Sequence, residues 1–111
     1  MTIATGPLIE FYRKDGFSRV ITFKFNDEAV SISGYTGYFT VKKNLEDSTP
    51  LISKSLSITS AEEGTFSLVL TGAETDIEVY QGYYYDIEIT PSGGQPITAR
   101  GRLNVYQGVR D

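Results

Sequence analysis

Gly82-Tyr83-Tyr84-Tyr85-Asp86-Ile87-Glu88-Ile89-Thr90 is the stretch that decides the fold. Tyr83, Tyr85, Ile87 and Ile89 fall on one side of a period of two, and Tyr84, Asp86 and Glu88 on the other. That alternation is what a strand shows when it buries one face and wets the other. The same period recurs in Phe66, Leu68 and Leu70 against Ser67, Val69 and Thr71. It recurs again in Ile97, Ala99, Gly101, Leu103 and Val105 against Thr98, Arg100, Arg102, Asn104 and Tyr106.

Working outward, weaker alternation puts Ile21, Phe23 and Phe25 inside an early strand, Phe39 and Val41 inside the next, and Ile52, Leu56 and Ile58 inside a fourth. Leu8 to Arg13 adds an N-terminal strand. Turn compositions separate these runs: Asp15-Gly16, Asn26-Asp27-Glu28, Ser33-Gly34, Glu46 to Pro50, Glu62-Glu63-Gly64 and Pro91-Ser92-Gly93-Gly94. About seven strands joined by short connections predict an all-β fold, an immunoglobulin-like antiparallel β-sandwich. The only helical signal is Thr71 to Glu78, where Thr71-x-x-Glu74 and Thr75-x-x-Glu78 both fit a capping box and predict one short helical turn between two late strands. Beside Gly82, Tyr83 or Tyr85 fits a tyrosine corner, in which the hydroxyl bonds back to the preceding connection. Plain core packing of the same rings is the preferred reading, and the sequence does not separate the two.

The chain has 111 residues, 40% apolar and 22% charged, which is the balance of one globular domain spanning 1–111. It contains no cysteine, so it forms no disulfide, thiolate metal site or Cys nucleophile. Without histidine it also lacks the commonest general base and transition-metal ligand. The expectation is a protein that is not an enzyme and uses no cofactor and no metal. Met1 to Pro7 has no signal-peptide pattern and no apolar run is long enough to span a bilayer, so neither export by a cleaved signal nor a membrane is expected.

The net charge of −4 is unevenly spread. Seven basic and six acidic residues lie in Met1 to Lys54, seven acidic and none basic in Ser55 to Ala99, and Arg100, Arg102 and Arg110 with Asp111 close the chain. Such separation can steer copies together, though scattered surface charge is the plainer reading. Arg13-Lys14 and Lys42-Lys43 are too short for a nucleic-acid patch beside so acidic a half, and no nucleic acid is expected as a partner.

Asp86 and Glu88 share a strand face with Cα atoms roughly 6.5–7 Å apart, near the separation of glycosidase carboxylate pairs. Any Asp-x-Glu on a strand has that separation, and solvated carboxylates are the preferred reading. Asn26-Asp27-Glu28 and Glu62-Glu63 are oxygen-rich but lack calcium-loop spacing. Serine and threonine are frequent, yet no Ser-x-x-Lys supplies a base. What remains is surface chemistry for a partner: outward Tyr84 and Tyr106, exposed Arg100 and Arg102, and Phe17 in a turn after Asp15-Gly16. Tyrosine and arginine are the types that interface hot spots favour. An unpaired sheet edge offers a second route.

Several runs together resemble one family: Arg13-Lys14-Asp15-Gly16, an aromatic strand with Phe23 and Phe25, and Ser33-Gly34-Tyr35-Thr36-Gly37-Tyr38-Phe39-Thr40-Val41-Lys42-Lys43. Next come Pro50 to Lys54, Glu63 to Leu68, Gly82-Tyr83-Tyr84-Tyr85-Asp86-Ile87-Glu88-Ile89, and Gly101 to Val105. From Leu8 to Val105 the chain resembles the N-terminal domain of phage baseplate upper proteins and related small immunoglobulin-like tail domains. In that family the early turn usually reads Arg-Gly-Asp-Thr; here Asp15-Gly16-Phe17-Ser18 departs from it. The resemblance implies an immunoglobulin-like sandwich that attaches one virion part to another. It also implies synthesis in the bacterial host cytoplasm and residence in the virion, with other virion proteins or copies of itself as partners. The competing function is a carbohydrate- or cell-surface-binding sandwich, with exposed tyrosines as stacking platforms.

Overall fold

The computed structural model describes residues 3–5, 7–25, 28–29 and 31–109. The Asn26-Asp27 part of the oxygen-rich loop, the Phe25 side chain, Arg110 and Asp111 lie outside what is described. Ten strands occur among the described residues: β1 (Ile3–Thr5), β2 (Ile9–Tyr12), β3 (Phe17–Thr22), β4 (Lys24–Phe25), β5 (Glu28–Ala29), β6 (Thr36–Lys42), β7 (Ile52–Ser60), β8 (Thr65–Leu70), β9 (Tyr80–Thr90) and β10 (Ile97–Tyr106). Each of the seven strands read from the sequence has a counterpart, but the early one read through Ile21, Phe23 and Phe25 breaks after Thr22, leaving Ile21 in β3 and Phe25 in β4; β1 and β5 are additional.

The hydrogen-bonded order is β1-β10-β9-β6-β7-β8-β3, with β2 also on β10. Residues Ile52 to Leu56 of β7 pair with β6, whereas Ser57 to Ser60 pair with β8. One long strand therefore turns the corner between two layers, β1/β2-β10-β9-β6 and β8-β3. Ladders along this path are antiparallel except at the first edge, where β1 and β2 lie parallel to β10. A parallel pair is available because most of the chain separates its members. Past the corner Ile58, read as inward, lies opposite the buried Phe66 but is 40% exposed, because β7 has left the larger layer at Leu56. A bulge follows between Ile58 and Ser60.

The core lies between the layers. Phe39, Val41, Tyr83, Tyr85, Ile87, Leu103 and Val105 face Phe66, Leu68 and Leu70, with Ile9, Phe11 and Ile32 closing the ends, and all are buried. Where β6 passes β8 the layers are so close that a Cβ on Gly37 would sit 3.1 Å from the Phe66 ring. Phe11 of β2 meets Phe17 of β3 across the gap, ring centroids 5.5 Å apart. Burying a side chain of this size contributes roughly 1.5–3 kcal/mol, so these alternating rows supply the main driving force for the fold.

Residues 71–78 form one hydrogen-bonded turn, with Glu74 and Thr75 both donating to the Thr71 carbonyl at 3.0 Å. The first capping box is made in full: Glu74 N–H donates to Thr71 Oγ1 at 3.2 Å, and Thr71 N–H donates to Glu74 Oε1 at 2.9 Å. The second is replaced by a tertiary contact, because Thr75 is buried and its hydroxyl donates to the Asp15 carbonyl at 2.7 Å. That bond and the Arg13–Asp76 ion pair at 2.8 Å pin the Arg13-Lys14-Asp15-Gly16 turn to this connection.

Candidate functional site

Strand β9 decides which side chains reach the outer face of the larger layer. Its partner register with β10 jumps between Leu103↔Tyr83 and Asn104↔Gln81, leaving Gly82 as an extra residue with φ of +104°. Glycine adopts that backbone freely where a side chain would strain it. Two β10 side chains clip the bulge from outside: Gly82 N–H donates to Asn104 Oδ1 at 2.8 Å, and Arg102 Nη2 donates to the Gly82 carbonyl at 2.9 Å.

Immediately inward, Tyr83 resolves the two readings of its ring. It is fully buried, and its hydroxyl donates to the carbonyl of Glu78, five residues upstream, at 2.5 Å. This is the tyrosine corner. Burial first, then the nearby Glu78 and Tyr80, push its phenol above the ordinary value. Tyr85 is equally buried, donates to the Pro7 carbonyl at 2.5 Å, and so ties the N-terminal segment to β9; burial raises its phenol too. Gly101 makes room for that ring, since a Cβ there would lie 2.6 Å from it.

The outward residues of β2, β10, β9 and β6 form one continuous surface. Four of the five residues expected to contact a partner, Tyr84, Arg100, Arg102 and Tyr106, lie on it. Arg102 stacks its guanidinium 4.1 Å over the Tyr84 ring, so these two are engaged with each other. Tyr106 donates to the Glu10 carboxylate, a bond that raises its phenol above the ordinary value, and accepts from Asn104 Nδ2 at 3.3 Å. Tyr12, 55% exposed, packs tilted beside it with centroids 6.2 Å apart.

Arg100 stands differently. It pairs in register with Asp86, which in turn sits opposite Thr40. Between these strands opens a depression of about 320 Å³ lined by Thr40, Lys42, Leu45, Asp86, Glu88 and Arg100, with Tyr84 at one wall. Ion pairs form elsewhere, Lys43–Glu78 at 3.1 Å and Lys54–Glu74 at 2.9 Å. Among the described residues none reaches Lys42, Asp86, Glu88 or Arg100. From sequence, Lys42 was read only as part of a short basic pair and Thr40 was not singled out, though alternation through Thr36–Lys42 already carries both to this side.

Phe17 is the correction. It begins β3 instead of occupying a turn, and it is half-buried against the core beside Phe11. The left-handed turn comes earlier, at Lys14 with φ of +71°, so the strand starts sooner than the Asp15-Gly16 signal implied.

No family model and no curated protein matches this chain. Solved structures do. The N-terminal domain of phage TP901-1 ORF48 aligns with a TM-score of 0.64 at 14% identity, covering 95% of this chain and 93% of that one. Extracellular domains 3-5 of Drosophila OTK align with a TM-score of 0.38 at 12% identity, over 94% of this chain and 38% of that one, too distant to bear on function. This chain shares its fold with a phage protein's N-terminal domain. The phage resemblance carried by Gly82 to Ile89 and its companion runs is thus matched in three dimensions.

Proposed function

We propose that this chain is a non-catalytic structural module of a phage or prophage virion. It serves as a tail, baseplate or head-associated adaptor and works by docking to other virion proteins or to copies of itself. The observation that carries the reading is the fold it shares with a phage domain over nearly its whole length. The docking surface is the outer face of β2-β10-β9-β6. There Tyr12, Tyr84, Tyr106, Arg100 and Arg102 concentrate the residue types that dominate interface energetics, on a rigid sheet that loses little conformational entropy on docking.

The sugar-binding alternative has one observation in its favour, the open depression with Asp86 and Glu88 as acceptors for hydroxyl groups. Against it, the Arg102 guanidinium occupies a face of the Tyr84 ring that a sugar would stack on.

The test is mass spectrometry of intact phage particles, purified by density gradient from bacteria that carry the gene. The chain is expected in the particle fraction at a fixed ratio to the other structural proteins. Its recovery only in the soluble lysate overturns the proposal.

A further inference from the structure

We infer that the outer face of β2-β10-β9-β6 docks onto the same face of a second copy, with Arg100 of each chain meeting Asp86 and Glu88 of the other. The inference rests on the structural-module reading and names its partner.

Three observations point to it. Asp86, Glu88, Arg100 and Lys42 have no ion-pair partner among the described residues, although Arg100 and Asp86 are register neighbours. Each charge therefore stays available to a group arriving from outside, and a carboxylate pair beside an arginine is complementary to itself after a half-turn. Next, the protein carries −4 overall, so copies repel over most of their surface. On this face Glu10, Asp86 and Glu88 are balanced by Lys42, Arg100 and Arg102, and repulsion is locally cancelled. Finally, the depression beside Arg100 gives an incoming guanidinium a place to enter without displacing Tyr84. A two-fold axis running along the gap between β9 and β10 lays each β10 over the other copy's β9. Strands about 4.8 Å apart then set Arg100 opposite the second copy's Asp86, with Glu88 two residues along. A contact of this isologous kind closes as a dimer and does not grow into a fibre.

The experiment is measurement of solution mass by light scattering on the full chain across a concentration range, at low and high salt. Wild type is expected to form a dimer that weakens with salt. R100E alone and D86K/E88K alone should each weaken the dimer at least tenfold, because like charges then face each other twice. Mixing the two variants should restore a dimer. The carboxylate introduced at position 100 of one chain then meets the ammonium groups introduced at positions 86 and 88 of the other, while the native Asp86 and Glu88 of the first meet the native Arg100 of the second. Thermal unfolding of each variant confirms that it is folded. A monomer at every concentration, a dimer indifferent to both reversals, or a mixture that stays monomeric overturns the inference. Particle mass spectrometry still decides the virion reading separately in each of those cases.

Discussion

Tyr83→Phe isolates a single hydroxyl. The ring keeps its buried position and its edge contact with Tyr80, centroids 4.9 Å apart, but the 2.5 Å bond to the Glu78 carbonyl is lost. A carbonyl deprived of its partner at a buried site costs about 1–3 kcal/mol. At about 4 °C per kcal/mol for a chain of this size, the melting temperature should fall by roughly 4–12 °C. Calorimetry at neutral pH reads the shift, and urea titration should show a lower midpoint with an unchanged slope. The pH dependence adds a second arm. A phenol whose folded pKa is raised lends its stability in full below the unfolded value of about 10, and loses it as pH climbs through the folded value. Phenylalanine has no such loss, so the gap between the two proteins should narrow above about pH 10. An unchanged melting temperature at neutral pH would show that the hydroxyl holds nothing in place and refute the corner's structural role.

Gly101→Ala drives a Cβ to within 2.6 Å of the Tyr85 ring and should cost about 1–3 kcal/mol by overpacking in urea denaturation. Gly82→Ala forces an alanine to φ of +104° and should cost a similar 1–3 kcal/mol by strain, with no effect on the register of the other ladders in amide hydrogen exchange. Glu74 is held below its ordinary value of 4.5 by the Thr71 N–H first and Lys54 next. Its contribution is therefore present above that value and lost as pH falls through the folded one, and Glu74→Gln should show a smaller drop in melting temperature between about pH 7 and pH 3 than wild type. Phe17→Ala should lose about 2 kcal/mol in the same urea titrations, roughly half the cost of a fully buried ring.

The alternation of Tyr83, Tyr85, Ile87 and Ile89 with Tyr84, Asp86 and Glu88 was enough to assign the strand, its buried face and its wet face. A period of two is a local property, and burial follows it wherever a strand is covered on one side. The same logic marked Arg100, Arg102 and Tyr106 as outward on β10. Phe17 escaped it because a turn signal at Asp15-Gly16 does not say which residue takes the left-handed conformation; Lys14 does, in a turn held by tertiary bonds from Thr75 and Asp76. Ile58 escaped it because β7 changes layers at Leu56, and no local pattern reports a corner.

What the sequence determined by itself is the all-β class, the main strands and the side of the sheet on which the polar residues stand, since these depend on neighbours two positions apart. Only the tertiary structure decided that Arg102 is engaged with Tyr84 and Gly82 while Arg100 has no ion pair among the described residues. It alone decided that Tyr83 and not Tyr85 makes the corner, and that Lys42 joins Asp86 and Glu88 around one depression. Those outcomes depend on the register between strands distant in the chain, and register is set by the bulge at Gly82 and by the packing of the two layers together.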